Sequence, residues 1–141
     1  MPSWFQCKIR YQKEQDNGSL KTINEAYLVD AVSFTEAEAR LLKELSSLIR
    51  EYDLAGCTKM RLADLFYDFG EEATWFKCRV VYSSVDERSG KEKKVVNAIL
   101  VNADNVKQAC ERIEESLKTM LVPFDITDVN TTGILEIFPY Q

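Results

Sequence analysis

The sequence predicts an α+β fold of two tandem strand-strand-helix-strand repeats related by a pseudo-two-fold, an antiparallel-rich sheet with two helices packed on it. Three observations carry this. Trp4-Phe5-Gln6-Cys7-Lys8-Ile9-Arg10-Tyr11 is matched by Trp75-Phe76-Lys77-Cys78-Arg79-Val80-Val81-Tyr82 at an offset of 71 residues. One extra residue in the second turn shifts the offset to 72; Ala26, Leu28, Val29 and Ala31 then fall on Ala98, Leu100, Val101 and Ala103. Ala37, Arg40, Leu45 and Phe66 fall on Ala109, Arg112, Leu117 and Phe138 without another gap, so the match runs through strands, turn and helix as a duplication would.

Residues 4–13 and 75–85 alternate with period two, which makes each a strand. In the first, Phe5, Cys7, Ile9 and Tyr11 share one face while Trp4, Gln6, Lys8 and Arg10 share the other. The turns Gln15-Asp16-Asn17-Gly18 and Glu87-Arg88-Ser89-Gly90 carry hairpin chemistry, because Asn and Gly tolerate the positive φ of a tight reversal. Second strands run through Ile23 to Ala31 and Val95 to Ala103. Ser33-x-x-Glu36, or Thr35-x-x-Glu38, forms a capping-box pattern, and Asn105-x-x-Gln108 repeats the first. Helical stripes follow: Ala37, Leu41, Leu45, Leu48 and Ile49, then Ala109, Ile113, Leu117, Met120 and Leu121. A third strand closes each copy, Met60 to Tyr67 and Gly133 to Phe138, with Pro139 suited to a strand end. Residues 69–74 join repeat one, 1–70, to repeat two, 71–141. A unit of about 70 residues with one helix is marginal alone, so the expectation is a single domain, 1–141, with a shared core.

Composition removes whole classes of chemistry. The chain has no histidine, which excludes Ser-His and Cys-His nucleophile pairs and His metal ligands. Cys7, Cys57, Cys78 and Cys110 form no Cys-x-x-Cys motif, so buried free thiols are expected rather than a zinc or thioredoxin-like site. The net charge of -5 argues against generic duplex binding. The five glycines are scattered singly, and no phosphate loop exists. No apolar run reaches the roughly 18 residues of a spanning helix, and Met1-Pro2-Ser3-Trp4 opens neither a signal nor a transit peptide. The expectation is a cytoplasmic protein with no membrane partner.

Trp4-Phe5-x-Cys7-Lys8, the string from Tyr27 to Arg40, Ser89-Gly90-Lys91-Glu92-Lys93 and Ile137-Phe138-Pro139-Tyr140 together are similar to a known family. The chain resembles, over nearly its whole length, the domain-of-unknown-function 4494 family of gut Bacteroidetes and their phages. The resemblance implies a phage or mobile-element setting in a bacterial host cell, and brings no catalytic residue with it.

The first-strand alternation places Trp4, Lys8 and Arg10, with Trp75, Lys77 and Arg79, on the face away from Phe5, Cys7 and Ile9. Aromatic and cationic groups on an open sheet face would serve a stacked base and its phosphate. The alternative is that each Trp covers a sheet margin or the interface between copies, with the Lys and Arg stems over it. Cys7 and Cys78 are equivalent inward positions, and a redox pair would require their Cα atoms within about 7 Å. Asp64 and Glu136 are equivalent acids in apolar strands that could hold a cation or pair with Lys8 or Arg10. The charged segment 86–94 reads as a solvated hairpin tip. No catalytic residue, metal ligand or cofactor is assigned. The expected function is non-enzymatic binding of a nucleotide-like ligand, such as a defence signal, or of short single-stranded nucleic acid. The alternative is a protein-interaction module, an inhibitor or assembly factor, using a sheet edge or helix face toward a host or phage protein. Homo-oligomerisation is compatible with either.

Overall fold

A computed structural model describes residues 3–66 and 74–139. The joint expected at 69–74, apart from Thr74, lies outside the described residues, as do Tyr67 and Tyr140. The elements are β1 (Ser3–Glu14), β2 (Leu20–Ala31), α1 (Phe34–Leu45), β3 (Asp53–Met60), β4 (Asp64–Phe66), β5 (Thr74–Val85), β6 (Glu92–Ala103), α2 (Val106–Ser116), β7 (Phe124–Thr131) and β8 (Ile134–Phe138). The fold is α+β, with two helices and two antiparallel-rich sheets among the described residues.

Each β hairpin closes where the turn chemistry demands it. Gly18 and Gly90 take φ of +84° and +68°, a region costly for residues with a Cβ. Asn17 Oδ1 accepts from the Ser19 N–H at 3.0 Å, holding the first turn. The helices begin at the Ser33 and Asn105 caps. Ser33 Oγ accepts from the Glu36 N–H at 3.1 Å, and Asn105 Oδ1 accepts from the Gln108 N–H at 2.8 Å. In return, Glu36 and Gln108 accept from the N–H of Val32 and Asp104, at 3.2 and 2.6 Å. Donors that the first turn would leave unsatisfied are thus met, and the first capping register, not the one at Thr35, is used.

The strand count differs from the expectation. Two strands, not one, follow each helix: β3 and β7 return antiparallel alongside β1 and β5. The segment read as one strand from Met60 to Tyr67 divides into the end of β3 and the short β4. The helical stripes also end earlier. Leu48 and Leu121 are exposed, because α1 stops at Leu45 and α2 at Ser116 and the chain then turns.

The strands form two four-stranded sheets, ordered β3-β1-β2-β8 and β4-β6-β5-β7. The expectation of one sheet carrying both helices is corrected accordingly. The last strand of each repeat pairs parallel with the second strand of the other: β4 with β6, β8 with β2. The registers correspond. Asp64 opposes Ile99 and Glu136 opposes Tyr27, which is one pairing read in two directions at the offset of 72. Both β1 and β5 carry a register shift at equivalent places, Lys8/Ile9 and Arg79/Val80.

The chain divides into two compact units that do not follow the 1–70 and 71–141 boundary. Unit 1 holds β1, β2, α1, β3 and β8, and unit 2 holds β4, β5, β6, α2 and β7. Unit 1 packs Phe5, Cys7, Ile9, Tyr27, Val29, Ala37, Leu41, Leu45 and Phe138 into one apolar cluster. The Phe138 and Tyr27 rings stack within it at 5.7 Å. Unit 2 packs Phe76, Cys78, Val80, Ile99, Val101, Ala109 and Ile113. The repeated arginines hold each helix to its strand: Arg40 donates to the Asp30 carbonyl, and Arg112 to the Asn102 carbonyl at 2.6 Å. Arg40 also reaches the Pro139 carbonyl at 2.8 Å, tying the end of β8 to α1.

Candidate functional site

The alternation places Lys8, Arg10, Lys77 and Arg79 as expected, and all four are exposed. Arg10 Nε donates to Asn24 Oδ1 at 3.4 Å, and Arg79 pairs with Asp128 at 3.5 Å. The tryptophans are less available. Trp4 is half-buried, and Trp75 is only 8% exposed. Leu28 and Leu100 lie on the same sheet faces as Trp4 and Trp75, away from the helices, and are fully buried. Those faces are therefore not the open aromatic platforms that base stacking uses. Asp64 and Glu136 fall in different units, and Asp64 Oδ1 accepts from the neighbouring Leu65 N–H at 2.9 Å. Among the described residues, no group of three or more Cys, Asp or Glu side chains is placed to hold a metal ion.

A groove of unit 1 lies elsewhere. Helix α1 directs Leu41 and Leu45 into the core, so Thr35, Glu38, Ala39 and Leu42 occupy the neighbouring side of the same helix. The chain then returns through Arg50, Glu51 and Tyr52 into Asp53 and Leu54 of β3, leaving a groove of about 710 Å³ between helix and strand. Its apolar surface comes from Leu41, Leu42, Ala39, Tyr52 and Leu54. Its rim carries three carboxylates, Glu38, Glu51 and Asp53, against one guanidinium, Arg50. Leu42 is 59% exposed. Burial raises the Tyr52 hydroxyl above the usual tyrosine range, and the neighbouring Cys7 and Glu38 side chains add to the shift.

Unit 2 carries other residues at several of these positions. At the offset of 72, Leu42, Arg50, Glu51 and Tyr52 become Glu114, Val122, Pro123 and Phe124. The same elements form with either set. Core and tether positions recur in both repeats, and Asp53 and Leu54 recur as Asp125 and Ile126, whereas Glu38, Leu42, Arg50 and Glu51 do not, Glu38 being replaced by Cys110. That divergence is the sequence signal that could have found the groove.

Cys57 was also missed. Cys7 and Cys78, expected as buried thiols at equivalent positions, fall in different units, and β3 places Cys57 directly opposite Cys7, with the sulfur atoms 3.5 Å apart. Cys7 is fully buried and Cys57 half-buried. Burial, then the contact with Cys57 and the charge of Glu38, push the Cys7 thiol up to about 12. In unit 2, Val129 stands opposite Cys78, so no such strand pair exists there.

Among the described residues, no helix is long and apolar enough to cross a membrane. No curated protein matches the chain. Residues 3–140 match the family model described as Domain of unknown function (DUF4494), and the chain belongs to that family.

Proposed function

We propose that this chain is a non-enzymatic protein-interaction module whose docking surface is the groove between α1 and β3. The observation that carries this is an exposed apolar groove with three carboxylates against one guanidinium, two of those carboxylates, Glu38 and Glu51, standing where the sister repeat folds with Cys110 and Pro123. An apolar side chain of the partner would fill the space among Leu42, Tyr52 and Leu54. Burying one such side chain contributes about 1.5–3 kcal/mol. Basic side chains beside it would meet Glu38, Glu51 and Asp53, which steers association and sets specificity more than affinity. The partner is therefore a segment with alternating apolar and basic character. The phage or mobile-element setting implied by the family resemblance suits an inhibitor or assembly factor acting in a bacterial cytoplasm.

A nucleotide-like ligand or single-stranded nucleic acid remains the second reading, supported by the exposure of Lys8, Arg10, Lys77 and Arg79. A titration with labelled probes separates the two: a Leu/Lys peptide, a Leu/Glu peptide of equal length, a mononucleotide and a thymidine oligonucleotide. The groove reading expects the Leu/Lys peptide to bind, with Leu42→Glu, the residue of the sister repeat, weakening it about tenfold or more. Binding of the oligonucleotide alone, abolished by Gln at positions 8, 10, 77 and 79, would support the second reading and overturn the first.

A further inference from the structure

The side chains of Cys7 and Cys57 meet on adjacent strands with no assigned role in the groove. Their backbone positions suit a covalent link. Directly opposed residues of an antiparallel pair have Cα atoms about 4.5–5.5 Å apart, inside the window of about 4.4–6.8 Å that a disulfide spans. The sulfur atoms stand at 3.5 Å and would need to close to about 2.05 Å. The strand that must adjust is able to do so. β3 is the edge strand of its sheet, and its ladder to β1 shifts register beside this pair, from Lys8 opposite Gly56 to Ile9 opposite Leu54. A bulge at an edge lets one strand bend without disturbing the rest of the sheet.

We propose that Cys7 and Cys57 form a reversible thiol-disulfide site that takes its oxidising equivalents from a low-molecular-weight disulfide such as glutathione disulfide. Cys57, the more accessible of the two, attacks first as the thiolate. A bond forms between its sulfur and one glutathione sulfur, the glutathione S–S bond breaks, and one glutathione thiolate leaves. The Cys7 thiolate then attacks the Cys57 sulfur, forming the protein disulfide and expelling the second glutathione thiolate. The protein loses two protons and two electrons, and one glutathione disulfide becomes two glutathiones. The second step is the slower, because burial keeps the Cys7 thiol protonated and only the thiolate is nucleophilic.

The test is a peptide map. Full-length protein is incubated with glutathione disulfide at pH 7.5 and pH 9, denatured, alkylated, digested and analysed by mass spectrometry. The expected product joins the Cys7 and Cys57 peptides, leaves Cys78 and Cys110 alkylated, forms faster at the higher pH and is reversed by dithiothreitol. Cys57→Val, which carries what the second repeat has at Val129, should leave Cys7 alkylated. Cys7→Ala should trap Cys57 as its mixed disulfide with glutathione. If either variant fails to fold, the wild-type map still decides. Wild-type protein that still holds Cys57 glutathionylated and Cys7 alkylated after prolonged incubation at pH 9, a joined pair involving Cys78 or Cys110, or four alkylated cysteines would each overturn the proposal.

Discussion

Cys7 and Cys78 sit in the two apolar clusters, where an ionised thiolate is poorly solvated. Burial is the leading cause that raises them from the ordinary value of 9.0 to about 12 and about 11. A thiol that ionises more readily in the unfolded chain contributes stability that is complete below about pH 9 and is lost as pH rises through the folded values. The urea midpoint should therefore be insensitive to these two groups from pH 7 to about 8.5 and should fall above about pH 9. Cys7→Ala should fall less steeply there. A wild-type midpoint that stays level to pH 10.5 would contradict the burial of these thiols. At this scale the sequence was legible where alternation decides. Cys7 and Cys78 read as inward-facing, and Lys8, Arg10, Lys77 and Arg79 as outward-facing, from period two alone. What alternation does not report is whether an outward face meets water, and Trp75 at 8% exposure is the consequence. Both sides of β6 are buried around Leu100 and Val101, so side-chain direction and solvent access are separate properties there.

The helices were legible as elements because cap and stripe agree: Ser33 and Asn105 open them, and Ala37, Leu41, Leu45, Ala109 and Ile113 are all buried. Leu45→Ala and Ile113→Ala should each cost about 2–5 kcal/mol by leaving a cavity under the sheet. Leu117 is only half-buried, so Leu117→Ala should cost distinctly less than Leu45→Ala; equal losses from denaturation curves would show that α2 packs like α1 throughout. Ser33→Ala should cost about 1 kcal/mol through the lost cap bond to Glu36. The third and seventh strands escaped the reading for a physical reason. Bulges break their alternation: Ile9 opposes Leu54 where Lys8 opposes Gly56, and β7 carries the matching shift at Val80 and Ile126. Cys57 and the β3 side of the groove went unseen with them.

The exchange of β4 and β8 between repeats governs the whole chain, because neither repeat supplies all the strands of one sheet. It was illegible because repeat matching shows which segments correspond, not which copy each one joins. A fragment of residues 1–70 lacks β8, hence Ile134 at 2% exposure and the Phe138 ring stacked on Tyr27. Alone it should melt without a cooperative transition, and adding a fragment of residues 71–141 should restore one. Cooperative melting of 1–70 as a monomer would contradict the exchange. The groove described lies in unit 1, and function can be read from which residues respond to a ligand. The most direct measurement is a backbone amide chemical-shift map of the full-length protein titrated with the Leu/Lys peptide and, separately, with the thymidine oligonucleotide. The expected result is that the peptide shifts residues lining the groove, Glu38, Leu42, Glu51, Tyr52 and Leu54, while the oligonucleotide leaves them unmoved. Shifts centred on Lys8, Arg10, Lys77 and Arg79 with the oligonucleotide, and none in the groove with the peptide, would contradict it.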